Sequence, residues 1–326
     1  MVWLYRRLWY VTVPAWLLFI SCASELPQTR LPSRGKPFPK ILEIKFVQLI
    51  GRPGARAGEF TSPQGICTDL EGNLYVADTG NDRIQKFGTN GVYQGQTGGF
   101  GWDQGQFNKP TDLYVNNNIE VWVVDSRNER IQQFDTRLNY LATFKLEDFL
   151  KPDVQFGLLH GIGVSTAGDI FITDRENEKV YQFNPFGALH RTLGEFGYGE
   201  GYIQEPASVA FDRGGNLYVC DMAENRVAIF DQFGNFLHGF GKKELSGPRG
   251  VAVDRWGYCF VADTRNHRLA VFDPEGNLAF SIGARGKGTI SFIEPQDAAL
   301  AGDEFLYVSD QGNGRVQKFR IVRESK

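Results

Sequence analysis

The sequence predicts an all-β fold, a six-bladed β-propeller of four-stranded antiparallel blades, and three observations predict it. One phrase, clearest from Tyr75-Val-Ala-Asp78 through Asn81 and Arg83 to Phe87, returns from Val123-Val-Asp125 to Phe134, Ile172-Thr-Asp174 to Phe183, Val219-Cys-Asp221 to Phe230, Val261-Ala-Asp263 to Phe272 and Val308-Ser-Asp310 to Phe319. The loop aspartates stand 42 to 49 residues apart, a period that marks a propeller or a solenoid. Each period divides into four short β-prone runs separated by Gly, Asn and Asp turns, whereas a solenoid repeat needs a helix or a parallel strand. The sixth unit stops at Val322 without a fourth run, and the N-terminal run Ile44 to Gly51 matches the missing one, so that pairing the two ends closes the ring and leaves no exposed sheet edge.

Charge and cysteine usage narrow the function. With 35 Lys and Arg against 38 Asp and Glu, the net charge is −3; no basic block offsets it, and nucleic-acid binding is not expected. Four Cys do not make a disulfide framework; Cys67, Cys220 and Cys259 fall inside predicted strands as small buried residues. Residues 1–22 have the form of a secretory signal: Arg6-Arg7, an apolar run from Leu8 to Ile20 too short to span a bilayer as a helix, then Ser21 and Cys22. The end of that run, Leu18-Phe-Ile-Ser-Cys22, resembles the bacterial lipoprotein signal, which implies a lipidated Cys22. Ala23 in the next position implies outer-membrane sorting where the host has two membranes. The alternative is an ordinary signal peptide cut near Cys22-Ala23-Ser24. Residues 23–43, with Pro27, Pro32, Pro37 and Pro39, read as an extended tether, 44–322 as the propeller and 323–326 as a tail. The expected location is the membrane surface facing the periplasm or the cell exterior.

In chain order, the first unit runs Pro63 to Asp69, turn, Leu74 to Ala77, the Asp78 loop, Arg83 to Phe87, turn, and Val92 to Gln96. The second opens at Pro110. The third replaces the opening proline, reading Leu159-His-Gly-Ile162, and follows an insertion from Lys145 to Phe156. The fourth has Glu224 where other loops place Asn, with Asn225 one step later. The fifth, Pro248 to Gly283, is the most regular, and the sixth opens at Pro295. The consensus Pro-x-Gly-Val-Ala-Val-Asp, Asn-Leu-Tyr-Val-Ala-Asp, x-x-Asn-x-Arg and Phe-Asp-x-x-Gly resembles the NHL-repeat family of propellers from about Ile44 to Val322. A fold of this kind hosts binders and enzymes alike.

Strand alternation puts the start of each first strand and each Asp loop on one face. Asp78, Asp125, Asp174, Asp221, Asp263 and Asp310, with Arg83, Arg130, Lys179, Arg226, Arg268 and Arg315, recur in every blade. They are read as the ring's fastening, the aspartate capping loop amides and pairing with the basic residue. Function is expected where blades differ. After the opening residue come Gln64, Thr111, His160, Ala207, Arg249 and Gln296, and one step deeper Gly65, Asp112, Gly161, Ser208, Gly250 and Asp297. The candidate binding residues at this channel mouth are therefore Gln64, Thr111, Asp112, His160, Ser208, Arg249, Gln296 and Asp297.

His160-Gly-Ile followed by Asp174-Arg-Glu-Asn177 resembles one blade of the peptidylamidoglycolate lyases, in which a histidine at this point helps bind zinc. A catalytic zinc needs about three protein ligands, and the aligned positions offer no second histidine. Resemblance to six-bladed lactonases implies calcium near Asp112 and Asp297, with two solvated or salt-bridged carboxylates as the alternative. No catalytic residue and no cofactor are assigned; zinc or calcium at His160, Asp112 and Asp297 is the competing expectation. The insertion and the aromatic loops Gly98 to Asp103 and Phe196 to Tyr202 lie on the mouth face, either as partner contacts or as inter-blade packing. The function expected is a monomeric, non-catalytic envelope propeller that binds a protein, peptide or glycan at the mouth. A metal-dependent lyase or lactonase is the alternative.

Overall fold

Six four-stranded antiparallel sheets form in the computed structural model, which describes residues 38–116, 119–145, 156–194 and 199–324. Blades 1 to 5 each use four consecutive strands; blade 1, for example, uses Pro63–Thr68, Leu74–Asp78, Arg83–Phe87 and Tyr93–Gly98. Blade 6 takes its outermost strand from the N-terminus: Ile41–Ile50 pairs with Arg315–Arg323, setting Phe46 opposite Phe319. That strand begins at Ile41, not Ile44, so residues 41–43 are strand and not tether. The closing strand runs one residue past Val322, and the Glu324 amide donates to the Lys40 carbonyl. The expected signal sequence with Cys22, residues 23–37 of the expected tether, insertion residues 146–155 and residues 195–198 of the second aromatic loop lie outside the described residues.

Burial explains why the strand patterns differ along each blade. The second strand is buried on both faces, as in Leu74–Asp78, and reads as a continuous apolar run; the outer strand Tyr93–Gly98 alternates half-buried with exposed. The apolar side chains gather in seams between neighbouring blades instead of one centre. Ile50 of the N-terminal strand packs with Tyr307 and Val316 of blade 6 and with Phe60, Leu74 and Phe87 of blade 1. Each blade therefore completes its neighbour's core.

One irregularity repeats in all six inner strands. The pairing register slips just after the opening residue, between Pro63 and Ile66, Pro110 and Leu113, Leu159 and Ile162, Pro206 and Val209, Pro248 and Gly250, and Pro295 and Ala298. A β-bulge frees a backbone amide and re-aims the side chains beside it. Here it acts where the chain reaches the propeller axis.

Candidate functional site

The repeated loops are the first feature at the mouth face. Asp78 is fully buried: Oδ1 accepts the Thr61 amide at 2.7 Å, and Oδ2 accepts from Asn81 at 2.8 Å, Arg83 Nε at 2.7 Å and Gln85 at 3.1 Å. Arg83 turns its remaining nitrogens to the carbonyls of Ala55, Arg56 and Glu59 in the preceding loop. Among the described residues the same Asp–Arg pair closes in five blades, at Asp78, Asp125, Asp221, Asp263 and Asp310. In blade 3, where Lys179 replaces arginine, Asp174 is held by the Gly157 amide and by Asn177. The residue before the basic one is left-handed, Asp82 at φ 52° and Asn225 at φ 55°. This gives Asn225 a local reason for its shift in blade 4, since asparagine tolerates that region. With the aspartate oxygens engaged inside the loop and the arginine Nε turned onto them, these groups serve the fold.

The ring on the axis is built by the bulges. At the deeper position glycine alternates with a side-chain acceptor: Gly65, Gly161 and Gly250 against Asp112, Ser208 and Asp297. The glycines are obligatory because a Cβ on Gly65 would lie 2.4 Å from Asp112 Oδ1, and one on Gly250 would lie 2.3 Å from Asp297 Oδ1. The carboxylates cross to the next blade: Asp112 Oδ2 accepts the Ile162 amide at 3.0 Å, and Asp297 Oδ2 accepts the Ile66 amide at 2.9 Å. Their Oδ1 atoms accept the Leu113 and Ala298 amides at 2.8 Å. Asp112 and Asp297 thus satisfy amides the bulges released. Burial raises both carboxyls well above the usual carboxylate range, and for Asp297 the charge of Asp112 adds to the rise.

Above them His160 is 9 % exposed, with Nδ1 3.0 Å from the Ala207 carbonyl of the next blade. Burial first, then Arg175 and Arg249, pull its pKa down to about 3. Thr111 Oγ1 donates to the His160 carbonyl at 2.8 Å, and Arg249 Nη1 donates to Gln296 Oε1 at 2.9 Å. Ser208 is buried and Gln64 partly buried in the same ring.

A pH signature follows from these groups. A histidine with a folded pKa below its unfolded value near 6.5 contributes stability above that pH and loses it as pH falls toward 3. Asp112 and Asp297, shifted upward, act oppositely: their contribution is present below about 4 and fades as pH rises through their raised values. Urea unfolding from pH 4 to 8 should show His160→Gln abolishing an acid-side loss on the order of 3 kcal/mol and Asp112→Asn weakening the neutral-side loss. An unchanged acid-side slope in His160→Gln would refute the assignment.

The metal sites implied by resemblance do not fit these residues. Among the described residues no three His, Cys, Asp or Glu side chains come together to hold a metal ion. His160 keeps one ring nitrogen, Nε2, without a partner and so offers a single ligand, while all four oxygens of Asp112 and Asp297 accept backbone amides. A cation there would have to displace bonds that join blades. His160, Asp112 and Asp297 are therefore not a ligand set, and no chemistry is routed through zinc or calcium. Cys67, Cys220 and Cys259 are free thiols. The aromatic loop before blade 2 divides its roles: Phe107 is fully buried, while Phe100 and Trp102 are 61 % and 65 % exposed and meet edge to face at 5.1 Å.

A concavity lies at the other end of the axis, on the face of the first-to-second strand turns. A lumen of about 250 Å³ runs from Asp112 and Asp297 past Leu113, Ile162 and Val251 toward Leu300. It reaches the face of the first-to-second strand turns beside a groove of about 980 Å³ lined by Tyr114, Glu120, Trp122, Phe186, Arg213 and Arg255, among others. Trp122 Nε1 donates to Glu120 Oε2 at 2.9 Å. Turn identities differ between blades, with Leu70 and Thr166 standing where blades 4 and 5 place Arg213 and Arg255, and only closure of the ring sets them around one hollow.

Fold and loops together define the class: a six-bladed β-propeller that carries NHL repeats. The NHL repeat family matches residues 60–87 and 107–134, the core of the first two blades. The chain is similar to Protein brain tumor of Drosophila melanogaster, 33% identical over 208 residues, which are 62% of this chain and 15% of that protein. It thus spans a minor part of that relative's length. Two solved structures share the fold: a streptogramin B lyase, with TM-score 0.60, 12% identity and coverage of 85% of this chain and 98% of that one, and the calcium-binding protein regucalcin of Agrobacterium tumefaciens, with TM-score 0.61, 14% identity and coverage of 86% and 96%. At such identities the likeness is one of fold.

Proposed function

We propose that this protein is a non-catalytic binding propeller of the cell envelope that takes a protein or peptide at the channel mouth, anchored through a lipidated Cys22. One observation carries the reading: six aligned but unequal residues, Gln64, Thr111, His160, Ala207, Arg249 and Gln296, ring the axis at one end, while the groups common to every blade are used up in fastening the ring. Recognition varies where structure does not demand identity. The misfit of His160, Asp112 and Asp297 to a cation supports binding over metal-dependent lysis or lactone hydrolysis, and the apolar run from Leu8 to Ile20 ahead of Cys22 supports export. A glycan is the alternative occupant.

The test has two arms on the full-length chain. Metal analysis is expected to find no stoichiometric zinc or calcium; one equivalent lost in His160→Ala or in Asp112→Asn with Asp297→Asn would overturn the non-catalytic reading. In bacterial cells fed an alkyne-labelled fatty acid, label is expected in the wild type and absent in Cys22→Ser. Equal labelling of both would sink the anchor.

A further inference from the structure

The mouth carries an imbalance of hydrogen-bonding groups that points to one ligand chemistry. The buried atoms His160 Nε2 and Gln64 Oε1 have no hydrogen-bond partner. Because a carbonyl only accepts, the 3.0 Å contact of His160 Nδ1 with Ala207 puts the ring proton on Nδ1. Held neutral by burial and by Arg175 and Arg249, the ring presents Nε2 as a lone pair. Two orphaned acceptors therefore stand in the ring, and a buried acceptor left unpaired is costly.

Beside them the charge is of the opposite kind. Arg249 is half-buried and its Nη1 donates to a neutral amide, Gln296 Oε1 at 2.9 Å; among the described residues no carboxylate pairs with it. Burial and Arg175 lower its pKa to about 10, with Arg265 adding to the repulsion and Glu294 and Glu205 opposing it. Of these two glutamates, Glu205 is engaged by Arg175 at 3.1 Å. Arg175 Nε is itself buried without a partner. A guanidinium left as Arg249 is, without a carboxylate, is suited to a planar carboxylate, which accepts two parallel N–H bonds.

We propose that the mouth binds a carboxylate that carries a hydrogen-bond donor on the adjacent carbon: the carboxylate meets Arg249, with the charge of Arg175 nearby, and the donor meets His160 Nε2. This deepens the mouth-binding reading above and rests on it. The chemistry is shared by a peptide C-terminus, whose last amide N–H stands next to the carboxylate, and by a free 2-hydroxy acid.

Calorimetry on the full-length chain tests this with N-acetylglycine and L-lactate as the two sources, and with N-acetylglycinamide, propionate and inorganic phosphate as controls. One-to-one binding of N-acetylglycine is expected, at least tenfold weaker for the amide and for propionate, and tenfold weaker in Arg249→Gln. Preference for N-acetylglycine assigns the peptide terminus; preference for L-lactate assigns the hydroxy acid. In wild-type protein, which avoids any folding defect of the variant, the His160 Nε2 nitrogen resonance should shift on titration. Arg213→Ala, in the groove at the far end, should bind as wild type. Equal binding of the amide, of propionate or of phosphate, an unmoved His160 resonance, no binding of either acid, or loss of binding in Arg213→Ala would overturn the proposal. None of these results bears on metal content, so failure here is distinct from failure of the non-catalytic reading.

Discussion

Deleting residues 1–50 is expected to abolish cooperative folding of the propeller. The deletion removes the outer strand of blade 6 and exposes the edge of Arg315–Arg323, with Phe319 and Ile321 beside it. Ile41 and Ile50 are buried to 1 % and 2 % exposure; two such side chains together contribute about 3–6 kcal/mol, against a total stability of about 5–15 kcal/mol for a typical domain. The lost strand pairing adds to this, and a long unpaired edge invites association with another chain. Thermal unfolding followed by circular dichroism should show no sigmoidal transition, and light scattering should show aggregates. A synthetic peptide covering residues 38–50, added during refolding, should restore the transition. A truncated chain that unfolds cooperatively at the wild-type temperature would show that ring closure contributes little.

Asp125→Ala is expected to destabilise the fold by about 3–5 kcal/mol, the range for removing one partner of a buried ion pair. Asp125 is fully buried; its loss orphans the Asn108 amide and leaves Arg130, whose Nε lies 2.7 Å away, without its counter-charge. Burial alone pushes the Asp125 carboxyl up, so the site tolerates the charge only through those bonds. The double variant Asp125→Ala with Arg130→Met should recover part of the loss, because it removes the stranded guanidinium while keeping its apolar stem. Urea midpoints measure both. A single variant within 1 kcal/mol of wild type would mean that water reaches the loop and replaces the carboxylate.

The recurrence of the Asp78 phrase was enough to read six blades and their strand order, because a propeller is locally encoded: each period carries its own turn residues and its own alternation. Legible for the same reason was the closing strand, a fourth-strand pattern standing alone at the wrong end of the chain. The starts of the inner strands were also readable as one face, since antiparallel strands put alternate ends together. What those residues do there was not readable. Asp112 and Asp297 look in sequence like open carboxylates at a mouth, but a bulge one residue away turns them onto amides of the next blade. The alternation of Gly65, Gly161 and Gly250 with Asp112, Ser208 and Asp297 was a visible trace of that packing, and its meaning depends on which blade follows which.

By itself, the sequence determined the repeat, the blade count, the closure and the ring of unequal residues, all of which follow from local pattern. Only the tertiary structure decided which polar atoms are satisfied and which are left over. Gln64, His160 and Arg249 come from strands roughly 90 residues apart along the chain, yet closure of the ring brings them to one axis. The balance of donors, acceptors and charge at that axis is a property of the assembled ring.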